Sequence, residues 1–475
     1  MNTDIVKKNL KLIIAALIPA AILFIPVESF GIEGLTIVEK RVIALFVFAT
    51  LFWILEPIPI YATSVLIIVL ELVMISDKSF ILFKGENAEM FGSFMSYKDI
   101  MGTFASPIIL LFLGGFFLAM AATKFRLDQT LAKTMLKPFG HNPKMVMLGL
   151  MIITAFFSMF MSNTATTAMM LSILAPVLLL FPDGDKGKTA FALSIPVAAN
   201  IGGIGTPIGT PPNAIAMKYL TGDASISFGK WMAFGVPYVI VLLLFGWFLL
   251  NIFYPSKEEK IQLKIDVKAS KSRSAKIVYF TFGVTILLWL TDFLHGMNSY
   301  VVAMIPVAVF SATKIITKED LKKISWDVLW LVSGGIALGL AMEKTGLIVH
   351  LLDSIPFADF SVLAIIGGAS FLALLMANFM SHTATANLLM PLMAALGTSL
   401  QSIQEVGGVA TIILTVTFAC SIGMVLPIST PPNALAHGTG FIQTKQMAKV
   451  GIIVGIVGLL LAFLTVYILK TVNFL

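Results

Sequence analysis

The chain has 475 residues, of which 58% are hydrophobic and only 12% are charged. Apolar runs close to the length of a bilayer span recur from Leu10 to Leu469. The composition therefore excludes an ordinary soluble domain and indicates a polytopic membrane protein surrounded by the lipid bilayer. The formal net charge of +7 does not require a nucleic-acid partner, and none is expected, because membrane topology itself concentrates lysine and arginine in loops.

Eleven apolar segments are predicted to cross the bilayer as helices. The first, from Leu10 to Val27, lies behind Lys7, Lys8 and Lys11 and could be mistaken for a signal peptide. Because it lacks a small-x-small cleavage site and many more spans follow, it is interpreted as a retained helix. The predicted spans begin near Leu10, Arg41, Ile60, Pro107, Thr189, Trp231, Lys276, Tyr300, Trp326, Val409 and Val450.

Two further apolar stretches, 143–180 and 360–396, are each interrupted at mid-length by a Ser-x-Thr motif. Each stretch is long enough for two crossings, but a polar cluster at its middle is typical of a re-entrant hairpin whose tip stops at half depth. Irregular backbone at that depth is stable only inside protein or facing a cavity. Two ordinary spans joined by a polar turn are the alternative interpretation.

Basic residues predict which loops lie in the cytoplasm. With a cytoplasmic N-terminus, the lysine-rich segments 124–144, 257–276 and 314–323 fall on the cytoplasmic face, as the positive-inside rule requires. The acid-richer or mixed loops 28–39 and 77–99 then fall outside. This orientation corresponds to a multi-pass protein of the cell inner (plasma) membrane.

Three motifs occur twice at nearly constant spacing, 219 or 220 residues apart, which indicates an internal duplication. Paired interruptions of apolar segments are the best sequence pointer to a transporter's binding site. The duplicated motifs are Ser-Asn-Thr at 162–164 with Ser-His-Thr at 381–383, Thr-Pro-Pro-Asn at 210–213 and 430–433, and Gly-Gly at 114–115 and 334–335.

The duplication divides the chain into two repeats. With the hairpins counted as re-entrant, each repeat has five spans, and an odd number inverts the second copy in the membrane. The predicted fold is therefore all-α, with about eleven transmembrane helices, two opposed re-entrant hairpins and broken helices at the centre. The predicted units are an N-terminal helix (1–40), the first repeat (41–255, hairpin near 143–180, broken helix near 189–225), a cytoplasmic linker (256–275) and the second repeat (276–475, hairpin near 360–396, broken helix near 409–440).

Both polar motifs predict helix N-termini at the membrane centre. In Thr-Pro-Pro-Asn the threonine is a good N-cap and proline fits the first helical turn, while Ser-x-Thr caps the returning half of each hairpin. Free N–H groups and the positive helix end attract anions without a basic side chain, and the opposing carbonyl ends can coordinate a cation. Four such ends predict an anion-binding cavity, with hydroxyl donors from Thr164, Thr210, Thr383 and Thr430.

Several chemistries are disfavoured by what the motifs lack. No Asp or Glu lies in either hairpin centre or Thr-Pro-Pro-Asn loop, whereas cation antiporters normally use intramembrane carboxylates. Glu71, in the third span, is the one carboxylate that remains open, although burial against a partner or a place at the span end explains it equally well. No phosphate-binding loop, nucleophile–base pair or metal cluster occurs, so no catalytic residue is assigned. A membrane enzyme or receptor is the most distant alternative.

At these motifs the chain resembles the divalent anion–sodium symporter (DASS, Indy-type) family, over essentially everything from Arg41 onward, and in particular its dicarboxylate exchanger branch. The resemblance implies a homodimer of scaffold and moving transport domains that carries C4 and C5 dicarboxylates, such as succinate, malate, fumarate or α-ketoglutarate, by elevator motion and without a cofactor. The substrate-binding residues implied by motif position are Ser162, Asn163, Thr164, Thr210, Pro211, Ser381, His382, Thr383, Thr430 and Pro431.

His382 departs from the family pattern, which has Asn at this position near one sodium ion. A second ligand position in the same copy is Ala377, which has no side-chain oxygen, so only a first-copy sodium site is expected, from Ser158, Asn163 and Gly209. A protonated imidazole would supply the charge that sodium brings, whereas a neutral one would simply replace Asn. The favoured function is dicarboxylate exchange. Sodium-coupled symport of dicarboxylates, tricarboxylates or sulfate is the alternative.

The predicted topology makes a labelling prediction. In a background with Cys420 replaced by serine, cysteines at Lys137 and Lys318 should react with an impermeant thiol reagent only from the cytoplasmic side. A cysteine at Gln404 should react only from outside. Labelling of position 404 from the cytoplasm would contradict the inverted hairpins.

Overall fold

The computed structural model describes residues 3–85, 87–178, 181–182, 185–261 and 270–474. Within these ranges the regular secondary structure is helical and includes no β-strand. This confirms the predicted all-α class. Part of the predicted linker 256–275 and the end of the stretch 143–180 lie outside the described residues.

The first half of the chain contributes ten helices of eight or more residues among those described. Several begin with N-caps that the sequence provides, such as the capping box of Thr36 and Glu39. The helices are α1 (Thr3–Phe24), α2 (Ile37–Leu55), α3 (Ile60–Met74), α4 (Pro107–Lys124), α5 (Leu127–Leu136), α6 (Pro143–Ser158), α7 (Asn163–Leu178), α8 (Lys186–Gly202), α9 (Pro211–Tyr219) and α10 (Phe228–Phe253).

The second half repeats this order among the described residues. The short helix after α4 in the first half, which begins at Leu127, returns at Leu347 in the second half. The helices are α11 (Arg273–Leu290), α12 (Ser299–Ala312), α13 (Trp326–Lys344), α14 (Leu347–Ser354), α15 (Val362–Phe379), α16 (His382–Ser399), α17 (Gly408–Ser421), α18 (Pro431–Gly438) and α19 (Thr444–Thr471).

Helices occur at all eleven predicted span positions. In the described chain, six helices are long and apolar enough to cross a membrane by length and composition, and several shorter apolar helices accompany them. The chain is therefore a multi-pass membrane protein, and the number of crossings stays a prediction. The six are Tyr97–Lys124, Phe228–Phe253, Arg273–Leu290, Trp326–Lys344, Val362–Phe379 and Thr444–Thr471.

Both stretches predicted as hairpins consist of two helices that are separated at the Ser-x-Thr motif. Helix α6 ends at Ser158 and α7 begins at Asn163, while α15 ends at Phe379 and α16 begins at His382. The 18 residues of α15 would extend about 27 Å at 1.5 Å per residue, close to the thickness of the hydrocarbon core. Helix length therefore fits either a re-entrant arm or a crossing, and the re-entrant interpretation stays a prediction.

The two repeats interlock at the centre. Helix α9, which follows the first Thr-Pro-Pro-Asn motif, packs against α16 of the second hairpin. Helix α18, which follows the second such motif, packs against α7 of the first hairpin. Each half-helix is thus supported by a hairpin from the other repeat, so the motif ends of both repeats meet in one place.

The duplicated glycine pairs lie where helices cross closely. Helix α4 packs on α12, and a Cβ added at Gly114 would overlap the backbone carbonyl of Ala303. Helix α13 packs on α3, and a Cβ added at Gly334 would overlap Ser64. Small residues let helix backbones approach closely in membranes, where no hydrophobic force drives helices together. The glycines are therefore packing residues of two equivalent crossings.

Replacement of Gly334 by alanine should destabilise the protein. The new methyl group meets Ser64 backbone and Cβ atoms, which cannot rotate away, and overpacking of this kind costs about 1–3 kcal/mol. The expected result is a lower melting temperature of the detergent-purified protein. Gly283→Ala is the matched control, because a Cβ there meets nothing within 4 Å. Equal melting temperatures for the two variants would contradict the close crossing.

Candidate binding site

A cavity of about 750 Å³ lies where the motif ends of the two repeats meet. Its volume is in the range of small-molecule sites. The ten residues expected from the sequence to bind substrate all line it, so the fold brings both copies of both motifs to one site. They are Ser162, Asn163, Thr164, Thr210, Pro211, Ser381, His382, Thr383, Thr430 and Pro431.

Serine caps the returning helix at each hairpin tip. The hydroxyl oxygen of Ser162 accepts a hydrogen bond from the amide of Ala165 at 3.2 Å, and that of Ser381 accepts one from the amide of Ala384 at 3.1 Å. Asn163 and His382 are therefore the first residues of α7 and α16. The first N–H groups of a helix have no partner within the helix, so both tips present unpaired donors and a positive helix end to the cavity.

The asparagine of each Thr-Pro-Pro-Asn motif holds the unwound backbone before the helix. The amide nitrogen of Asn213 donates to the carbonyls of Gly203, Ile204 and Thr206 at 2.8–3.1 Å. In the second copy Asn433 donates to two of the three equivalent carbonyls, those of Met424 and Leu426. Backbone carbonyls freed by a helix break need such partners at membrane depth. These asparagines are thus buried supports of the loops, with Thr210 and Thr430 as the N-caps.

The two hairpin tips differ in exposure. Thr164, at the first tip, is exposed, whereas Thr383 is only 7% exposed and His382 only 8%. The cavity extends from the tips to Tyr61 and Asp327, which are exposed at the N-terminal ends of α3 and α13. The first tip therefore faces open space, while the second is packed into the protein.

Oxygen atoms cluster beside the first tip. The hydroxyl of Ser158 lies 2.5 Å from Oδ1 of Asn163 and donates to the carbonyl of Ala199 at 2.7 Å. A Cβ added at Gly203 would lie 2.7 Å from Oδ1 of Asn163 and 3.1 Å from the carbonyl oxygen of Gly209. The three residues expected to bind sodium, Ser158, Asn163 and Gly209, are thus close neighbours, and their oxygen atoms are of the type that hard cations prefer.

The equivalent place beside the second tip holds an imidazole. Nε2 of His382 lies 2.6 Å from the carbonyl oxygen of Gly423, the counterpart of Gly203. Because a carbonyl only accepts, this nitrogen is assigned the proton. A Cβ added at Gly423 would also meet the Cβ of Ala377, so the second tip brings a methyl group where the first brings a hydroxyl. The side-chain oxygens that Ser158 and Asn163 provide in the first copy therefore have no counterpart at Ala377 and His382.

Charged side chains contribute little to the cavity. Among the described lining residues, no lysine or arginine occurs, and Asp327 near the exposed end is the one carboxylate. Glu71 does not line the cavity; it is fully buried, and neither of its carboxylate oxygens has a hydrogen-bond partner within the described chain. Anion binding in the cavity would therefore depend on helix ends, hydroxyls and the imidazole of His382.

Several lining residues were not expected from the sequence. Most are apolar and come from helices outside the motifs, so no local pattern could have identified them. Asn200 differs, because it is a polar residue within an apolar helix, a signal that the sequence does contain. The unexpected residues include Phe112, Phe116, Phe160, Asn200, Ile208, Leu331 and Leu435.

Comparison with known families settles the class of protein. The family model described as the sodium:sulfate symporter transmembrane region matches residues 6–472. The chain belongs to this family. The resemblance to divalent anion–sodium symporters is thereby confirmed, and the chain is a membrane transporter rather than an enzyme.

Curated relatives are similar over most of this chain. The sodium-dependent dicarboxylate transporter SdcS of Staphylococcus saprophyticus is 31% identical over 468 residues, which cover 90% of this chain and 85% of the relative. SdcS of Staphylococcus aureus is 30% identical over 466 residues with the same coverage. An uncharacterized transporter of Schizosaccharomyces pombe is 30% identical over 458 residues, but this chain spans only 50% of its length.

Proposed function

We propose that the protein transports C4 and C5 dicarboxylates such as succinate, malate, fumarate and α-ketoglutarate. The observation that carries this proposal is the convergence of four helix N-termini on one cavity whose described lining residues include no lysine or arginine. Such ends bind carboxylates through N–H groups and the helix dipole. The SdcS relatives, named as dicarboxylate transporters, support the same substrate class.

The cavity suits an anion with a charge at each end and an apolar middle. Each repeat contributes one hairpin tip and one Thr-Pro-Pro-Asn end, so two similar polar groups of donors are available. The same cavity is also lined by apolar side chains such as Pro211, Pro431 and Ile208. Tricarboxylates and sulfate, which share the acceptor chemistry, are the alternative substrates.

We propose exchange as the mode of transport because of the second tip. The imidazole of His382 bonds to Gly423 where the first copy has its oxygen cluster, and Ala377 lacks a ligand atom. In the loaded state a protonated imidazole would pair with a substrate carboxylate and take the place of sodium's charge. In the empty carrier the protonated imidazole would have no counter-charge, and moving it through the low-dielectric barrier would cost several kcal/mol. The carrier would therefore change between its two orientations more readily when substrate is bound.

Sodium-coupled symport is the second candidate. It is favoured by the oxygen cluster of Ser158, Asn163 and Gly209 and by the sodium-dependent relatives. Sodium would then be a co-substrate that leaves with the anion, and the empty carrier could return without an uncompensated charge. His382 would act in this case only as a neutral hydrogen-bond donor.

An elevator motion within a homodimer is the proposed mechanism of access. The hairpins and broken helices that surround the cavity would move against a frame that includes α3, α4, α12 and α13, whose glycine crossings hold them in pairs. With the predicted cytoplasmic N-terminus, the exposed ends at Tyr61 and Asp327 lie on the cytoplasmic side of the plasma membrane. The described conformation would then be open to the cytoplasm.

Substrate binding should depend on the hydroxyls of both tips. Thr164→Ala and Thr383→Ala should each weaken dicarboxylate binding by about 1–3 kcal/mol, because a desolvated carboxylate oxygen loses a donor. Binding of labelled succinate to purified protein measures this. Thr398→Ala is the control, since this threonine is exposed at the far end of α16 and bonds to its own helix. Unchanged affinity in both tip variants would show that the tip threonines do not bind the substrate.

Exchange should be visible in proteoliposomes. Uptake of labelled succinate should require internal dicarboxylate and should respond little to an inward sodium gradient. Strong sodium-driven uptake into vesicles that lack internal substrate would instead establish the symporter. His382→Asn is the reciprocal test: with a neutral tip, the requirement for internal substrate should relax even if the transport rate falls.

A further inference from the structure

Asn200, near the end of α8, connects the two repeats at the cavity wall. Its amide nitrogen lies 3.2 Å from the hydroxyl oxygen of Thr430 and 3.1 Å from Oδ1 of Asn433. The side chain is buried, with 1% exposure, and it lines the cavity. A first-repeat amide is therefore bonded to the capping threonine of the second-repeat motif.

The hydrogen-bond network determines which way these amides point. The nitrogen of Asn433 donates to the carbonyls of Met424 and Leu426, at 2.9 Å and 3.0 Å, and carbonyls only accept. The oxygen of Asn433 must then be the atom that faces Asn200. An oxygen at this distance requires a donor, so Asn200 presents its NH₂ group to both Asn433 and Thr430.

This arrangement uses both acceptor positions of the Thr430 hydroxyl. One receives the amide nitrogen of Asn200 at 3.2 Å, and the other receives the backbone N–H of Asn433 at 3.2 Å. A hydroxyl has two acceptor lone pairs and one hydrogen, so only the hydrogen remains. No described residue accepts that hydrogen, and Thr430 lines the cavity. It is therefore left to donate to a ligand.

The first repeat lacks this device. The residue 220 positions after Asn200 is Cys420, which has no amide to donate to the first motif. Within the described chain, the side chain of Thr210 makes no capping bond, whereas that of Thr430 does. The hydroxyl of Thr210 can rotate to donate or to accept, while that of Thr430 cannot.

We infer that Asn200 is a positioning residue that commits Thr430 to donate its hydrogen bond to the anion. The inference rests on the proposed function, because it assigns one donor of the same site to a carboxylate. A carboxylate or sulfate presents an acceptor oxygen to such a donor in either orientation, whereas an amide does so only through its carbonyl oxygen and not through its NH₂ group. Asn200 thus favours ligands that are acceptors at both ends, and succinate should bind better than its half-amide succinamate.

The test is a double-mutant cycle with binding of labelled succinate to the purified full-length protein. Asn200→Leu keeps approximate shape without a donor, and Thr430→Val keeps shape without a hydroxyl. Thr430→Val should raise the dissociation constant about tenfold, the effect of a lost hydrogen bond to a charged group. Asn200→Leu should raise it by a smaller factor, because the Thr430 hydroxyl keeps its hydrogen but is no longer held so that it can only donate. The double variant should show about tenfold, no more than Thr430→Val alone, because Asn200 acts only through that hydroxyl.

Thr210→Val combined with Asn200→Leu is the control cycle, and there the effects should multiply. Multiplying effects for Asn200 and Thr430 would overturn the inference, since a purely structural asparagine acts independently of the hydroxyl. A second readout is the ratio of succinamate to succinate dissociation constants. This ratio should fall towards one in Asn200→Leu, because the Thr430 hydroxyl can then also accept a hydrogen bond from the amide NH₂ of succinamate. An unchanged ratio would also contradict the inference.

Failure of the proposed function would look different. Wild-type protein that binds labelled sulfate but not succinate would refute dicarboxylate transport, and the same cycle with sulfate would still decide the role of Asn200. Wild-type protein that binds neither anion would overturn both, because the Thr430 hydrogen would then have no acceptor-only ligand.

Discussion

The structure depends on one constraint: helices must stop in the interior of the protein without leaving buried carbonyl groups unpaired. A break in a buried helix leaves N–H groups and C=O groups without their helical partners. The N–H groups can donate hydrogen bonds to an anion, whereas the C=O groups need a donor from the protein. The asparagine of each Thr-Pro-Pro-Asn motif resolves this by donating its single NH₂ group to two or three carbonyls of the unwound turn. The N–H groups on the other side of the break remain for the cavity. The motif therefore combines an asparagine that binds the freed carbonyls with a helix N-terminus that faces the cavity.

The two repeats build similar ends but do not build identical ones. His382 stands where the first copy has Asn163, Ala377 stands where it has Ser158, and Cys420 stands where it has Asn200. The first copy consequently has a cluster of oxygens, and the second has an imidazole bonded to Gly423 and a hydroxyl held by the opposite repeat. The two repeats therefore share the same arrangement of helix ends around the cavity. The differences at these three positions give the two halves of the cavity different polar groups.

Local patterns predicted the helical fold class and the motif residues that line the cavity. Caps, prolines and apolar runs act over a few residues, so the ends of α7, α9, α16 and α18 could be placed from the sequence. Internal duplication then indicated that these ends belong together, and the shared cavity agrees with that expectation. The structural roles of the glycine pairs and of Asn200 could not be predicted in this way. Each depends on which distant helix lies opposite, and the bond from Asn200 to Thr430 joins residues 230 apart.

The interlocked packing has a consequence for how the protein is made. During synthesis, α7 is complete long before α18, the helix that packs against it, and α9 likewise precedes α16. Until the second repeat arrives, the polar first hairpin and its neighbouring half-helix have no protein wall on one side. The cavity is therefore completed only when the second repeat is in place, although its first-repeat residues are synthesised earlier.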